Sequence, residues 1–104
     1  MKIDLSQHFE NDDGTPSTEP DPKGGPPVTT TLRKALIRIC LADIDGDLNP
    51  VKGEAKVRRF ELYSKIKSQK GDIVELTPEE VADLRQWCLI FPTLAVGQIR
   101  AMLA

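Results

Sequence analysis

The prolines divide this chain before any other signal is read. Five of the eight (Pro16, Pro20, Pro22, Pro26 and Pro27) fall in the first 30 residues, with Gly24 and Gly25 among them. Each proline lacks an amide donor and fixes φ at about −65°. No helix or central strand is expected to cross that stretch, and an extended, polyproline-like path is favoured. The remaining three stand at expected element boundaries: Pro50 in a loop, Pro78 at a first helical position and Pro92 just past a helix end. The helical part of the chain is thereby confined to residues 31–104.

Within that part, capping chemistry and periodicity place four helices. Thr29, Thr30 and Thr31 supply N-cap candidates for a first helix from Leu32 to about Leu41, with Leu32, Leu36, Ile39 and Cys40 recurring at helical spacing. A second helix is expected from Gly53 or Glu54 to Lys70, burying Val57, Phe60, Ile66 and either Leu62 or Tyr63, with Gly71 as its stop. The clearest joint lies at Asp72–Leu84. There Ile73, Val74 and Leu76 have strand composition, and Thr77-Pro78-Glu79-Glu80 is a capping box with proline at the first turn. That third helix reaches about Phe91 with Val81, Leu84, Cys88 and Phe91 on one face. Thr93 is expected to cap a fourth, Leu94–Leu103, built on Leu94, Ile99, Met102 and Leu103, with Gly97 set for a close helix approach.

The expected fold is therefore mainly α: a small four-helix domain with one or two short β-strands and an extended Pro/Gly-rich N-terminal arm. Residues 1–30 form the arm, with a short strand at 2–5, and 31–104 the compact helical domain. Pairing Lys2–Leu5 with Ile73–Leu76 would tie the root of the arm to the body. A hydrophobic fraction of 39% and a charged fraction of 29% are those of an ordinary globular chain. No run of 18 apolar residues is present, and Met1–Leu5 lacks the apolar core of a secretory signal, so a cytoplasmic location is expected. Cys40 and Cys88 sit among apolar neighbours and read as buried, reduced thiols.

Charge is segregated along the chain. Residues 1–30 carry two positive and six negative side chains, whereas 52–70 carry seven positive (Lys52, Lys56, Arg58, Arg59, Lys65, Lys67, Lys70) against Glu54 and Glu61. A basic helix of this kind is either a solvated face complementing the protein's own acidic segments or a surface for an acidic partner. Arg58, Arg59, Lys65, Lys67 and Lys70, with Trp87 as an aromatic anchor of the sort enriched in interfaces, make the candidate interaction surface.

Chemistry has little to work with. His8 is the one histidine and lies in the irregular segment, and neither a glycine-rich phosphate loop nor Cys-x-x-Cys is present, so no enzyme, cofactor or metal is expected. The loop Asp43–Glu54 puts Asp43, Asp45, Asp47 and Glu54 at positions 1, 3, 5 and 12 of a calcium loop. Leu48, however, stands where the sixth-position glycine belongs, and Pro50 follows. A solvated acidic interhelical loop is the favoured reading.

From Lys56 onward, the segments Val57-Arg58-Arg59-Phe60-Glu61-Leu62-Tyr63-Ser64-Lys65-Ile66, Val74-Glu75-Leu76-Thr77-Pro78-Glu79-Glu80-Val81 and Val96-Gly97-Gln98-Ile99 resemble small proteins encoded by tailed bacteriophages and prophages. The short opening strand and Gly/Pro-rich segment are similar too. The resemblance carries no catalytic motif and implies an accessory protein. The expected function is a non-enzymatic protein-interaction module, a phage accessory or virion-assembly component docking on phage or host proteins, with the arm ordering along a neighbour. The second reading is a nucleic-acid-binding regulator using the basic helix 52–70. No membrane partner is expected.

Overall fold

The computed structural model describes residues 1–104. Four helices form, α1 and α3 behind the side-chain caps of Thr31 and Thr77: α1 Leu32–Leu41, α2 Glu54–Ser68, α3 Pro78–Trp87 and α4 Thr93–Met102. Four short strands accompany them, more than the one or two expected, in two antiparallel pairs: β1 Lys2–Asp4 with β4 Ile73–Glu75, and β2 Thr18–Glu19 with β3 Val28–Thr29. The β1–β4 pairing is the one expected, with Ile3 opposite Val74. No helix is long and apolar enough to cross a membrane.

The joint at β4–α3 takes its predicted form. The Thr77 hydroxyl accepts from the Glu80 amide at 3.1 Å, and the Glu80 carboxylate accepts from the Thr77 amide at 2.8 Å. α3 stops four residues early, because Cys88–Ile90 tightens into a 3-10 turn ahead of Pro92. α4 begins with Pro92 as its N-cap; the Thr93 hydroxyl plays no capping part.

α1 and α2 run antiparallel and are locked by two arginines acting in opposite senses. Helix C-termini leave carbonyls without partners and carry partial negative charge. Arg33, at the start of α1, donates to the carbonyls of Ile66, Gln69 and Gly71 at the end of α2. Arg59, in the first half of α2, donates through Nη1 to Ile39 and Ala42 at the end of α1, at 2.9 and 3.0 Å. Each helix supplies the cation that closes its neighbour.

Arg59 also fixes the phase of α2, and here the structure departs from expectation. Arg59, Leu62 and Ile66 are buried, whereas Val57 and Phe60 point outward at 49% and 62% exposure. The sequence offers apolar residues on two faces of this helix. The face that buries Arg59 against the α1 carbonyls also buries Leu62 and Ile66.

No extended arm is seen. The first 30 residues fold onto the helices because Ile3, Leu5 and Phe9, on either side of a turn at Leu5–Ser6, are 2%, 1% and 6% exposed in the shared core. Their backbone is used as well: the carbonyls of Leu5 and Gln7 accept from the first α1 amides, Arg33 at 3.1 Å and Leu32 at 2.7 Å. The Pro-rich piece becomes the loop of the β2–β3 hairpin. Asp21 turns it through bonds to the amides of Lys23 and Gly24, with Gly24 at φ +82°. Its prolines are thus kept off the ladder, where they would lack donors.

Candidate interaction surface

Of the six residues expected to form one interaction surface, the structure brings four into internal contacts. Arg58 is ion-paired with Asp83 of α3, and Lys65 with Glu80 at 2.8 Å. Arg59 is 3% exposed, and its Cζ lies 4.4 Å from the centroid of the Trp87 ring, a cation–π stack that holds both side chains between helices. Burial pulls the Arg59 pKa below its ordinary value, opposed by the nearby Cys40, Asp45, Asp43 and Asp83. Its Nη2 is buried with no hydrogen-bond partner. These four residues therefore seam α2 to α1 and α3. Lys67 and Lys70 remain at the surface, Lys67 donating to the Tyr63 hydroxyl at 2.8 Å.

The outward face of α2 has a different character. At about 100° per residue, Lys56, Val57, Phe60, Tyr63, Ser64 and Lys67 share one arc, while Glu54 and Glu61 lie toward the α3 side with Arg58 and Lys65. The Phe60 and Tyr63 rings are 5.8 Å apart, tilted by 40°. Leu41, 55% exposed at the end of α1, borders a small 160 Å³ hollow together with Lys56 and Phe60. Lys52, Lys56, Lys67 and Lys70 take part in none of the five ion pairs. The result is an exposed apolar and aromatic stripe with Lys56 and Lys67 along its Tyr63 edge, Glu61 beyond its Val57 edge and Asp43 in the hollow beside Phe60.

A second surface was not foreseen. A cleft of about 450 Å³ opens between the N-terminal segment, α1 and the start of α4. Phe9, Phe91, Leu94 and Ala95 form its apolar lining, with Glu10, Glu19 and Arg38 at the mouth. Leu94, expected in the core, is instead 50% exposed here. Gln98 ties the walls together: its amide accepts from the Glu10 N–H at 2.8 Å and donates to the Glu10 carbonyl at 2.9 Å, as a neighbouring strand would. Glu19 joins the hairpin to α1 through Arg38 and Lys34. Burial opposes ionisation of Glu19, but those two partners outweigh it and hold its pKa below the ordinary value. The alternation of Ile3 and Leu5, with Phe9 close behind, was the available signal that this segment would build a wall of the fold.

The remaining chemical groups are quiet. Cys40 and Cys88 are free and buried, as expected, and burial pushes the Cys40 thiol up to about 12. In the Asp43–Glu54 loop the Asp45 carboxylate accepts from its own loop amides at Asp47 and Asn49, both at 2.9 Å. Leu48 adopts φ +65°, the left-handed conformation that glycine would take there at lower cost. Comparison with family models, curated proteins and solved structures finds no match to this chain. The fold and the two surfaces define a small helical protein whose most distinctive exposed features are the α2 stripe and the cleft.

Proposed function

We propose that the protein is a non-enzymatic interaction module that docks on an acidic protein surface through the outward face of α2. One observation carries this reading: Val57 and Phe60 are exposed at 49% and 62% on α2, beside Lys56 and Lys67, neither of which is in an ion pair. A large aromatic side chain left in water on a helix whose other faces pack well is unfavourable for the isolated chain, and contiguous exposed apolar surface of this kind marks interaction sites. The neighbouring lysines select for acidic partners and against basic ones. The resemblance to small proteins of tailed phages supports placing the module as an accessory or virion-assembly component acting on phage or host proteins. The inert thiols and the single exposed histidine favour binding over catalysis.

The nucleic-acid reading is weakened because Arg58, Arg59 and Lys65, three of its five proposed phosphate contacts, are engaged within the fold. Fluorescence anisotropy separates the two. Labelled peptides combining Asp or Glu with Leu and Phe are expected to bind, with affinity falling about tenfold or more in Phe60→Asp. Single-stranded and duplex oligonucleotides are expected to bind weakly. Failure of every such peptide, or oligonucleotide binding that declines steeply with salt and is indifferent to Phe60→Asp, would overturn the proposal.

A further inference from the structure

We propose that the acidic partner of the α2 face is a second copy of this chain, which receives Phe60 in the cleft between its N-terminal segment and α4. This rests on the reading of α2 as a docking face and names its occupant. The two surfaces are distinct, since no residue of α2 lines the cleft. They are also complementary in shape and charge. A cavity of about 150 Å³ suffices for a benzene ring, so a 450 Å³ cleft floored by Phe9, Phe91, Leu94 and Ala95 takes the Phe60 side chain with room for Val57.

Charge matches the knob to the pocket. Glu10 lies at the mouth, and the turn that follows it carries Asp12 and Asp13, exposed and without cationic partners. Arg38 lies at the same mouth and shares Glu19 with Lys34, so the negative charge offered to an incoming lysine is that of Glu10, Asp12 and Asp13. The incoming helix brings Lys56 and Lys67 on either side of Phe60. A symmetric contact of two α2 faces would instead set these lysines against each other, with carboxylates only at its margins (Asp43 and Glu61), and would leave the cleft unfilled. The knob therefore meets a different surface of its partner, a head-to-tail contact of the kind that repeats into rings or filaments.

Sedimentation velocity over a dilution series tests this. The native chain is expected to form species larger than dimers, weakening as salt rises. Phe60→Asp removes the knob and Leu94→Asp spoils the pocket; both positions are half-exposed or more, so circular dichroism should be unchanged. Each variant alone should be monomeric. An equimolar mixture should yield a heterodimer and nothing larger, because each still has one intact surface. Replacing Asp12 and Asp13 by lysine tests the mouth without touching the cleft floor, and should weaken assembly at low salt. A native chain that stays monomeric, a mixture that stays monomeric, or a dimer indifferent to Leu94→Asp would each overturn the inference. Acidic peptides that still bind the α2 face would then leave the preceding proposal standing.

Discussion

Arg59 shows how far a residue's role can lie from its composition. In the sequence it is one of seven cations in a basic helix; in the fold it closes α1, stacks on Trp87 and sets which side of α2 is buried. Its long apolar stem lets the charge travel into the core, and its destination depends on carbonyls seventeen to twenty residues away. No local pattern reports that. Two glycines make a similar point and are directly testable. Gly97 looked like a close approach inside α4, yet a Cβ there would meet nothing within 4 Å. Gly46, in the loop after α1, is where α3 comes close: a Cβ would fall 2.1 Å from the Gln86 carbonyl oxygen. Gly97→Ala is therefore expected to stabilise by roughly 1 kcal/mol, the intrinsic helix preference. Gly46→Ala should destabilise by about 1–3 kcal/mol, the usual cost of overpacking. Urea midpoints of the two variants, moving in opposite directions, check both.

Elements were legible where the chain encodes them locally. The Thr77–Glu80 capping box and the bounds of α1 follow from side chains within a few residues, and the β1–β4 pairing from there being just two strand-like candidates to pair. The phase of α2 was not legible, because Val57, Phe60, Leu62, Tyr63 and Ile66 cover more than one face and only tertiary bonds choose between them. Nor was the cleft, which requires knowing that the N-terminal segment folds back. The α2–α3 seam has a consequence in acid. Burial opposes ionisation of Glu80, but the Lys65 ammonium and the Thr77 amide and hydroxyl outweigh it, and its pKa lies below the ordinary 4.5. Glu19 is held down in the same way by Arg38 and Lys34. In both cases the unfolded chain binds protons more readily. Their stabilisation is fully present above the unfolded value and is lost as pH falls below about 4.5 through the folded values. Glu80→Gln preserves the capping box while removing the charge. It is expected to cost under about 1 kcal/mol at neutral pH, as partly exposed pairs do, and to flatten the acid decline. Thermal melts of both proteins between neutrality and pH 3 would reveal a parallel decline if the seam carries no such linkage.

At the scale of the whole molecule, the helices and the N-terminal segment share one core. Ile3, Leu5 and Phe9 belong to the same buried cluster as Leu36, Ile66, Leu84 and Ile99. Burying each of the three is worth about 1.5–3 kcal/mol, so together they contribute roughly 5–9 kcal/mol, against a total of about 5–15 for a typical domain. Removal of the segment also strips the carbonyls of Leu5 and Gln7 from the first amides of α1 and the β1 strand from β4. Residues 31–104 alone are accordingly expected to lose cooperative unfolding, keeping part of their helical far-ultraviolet signal but not the near-ultraviolet signature of a packed Trp87. The full chain should melt in one transition by both probes, since no boundary separates its parts. A 31–104 fragment that melts cooperatively near the temperature of the full chain would return the segment to the role of a dispensable arm. It would also remove one wall of the cleft from the fold proper, so the measurement bears on head-to-tail assembly as well as on stability.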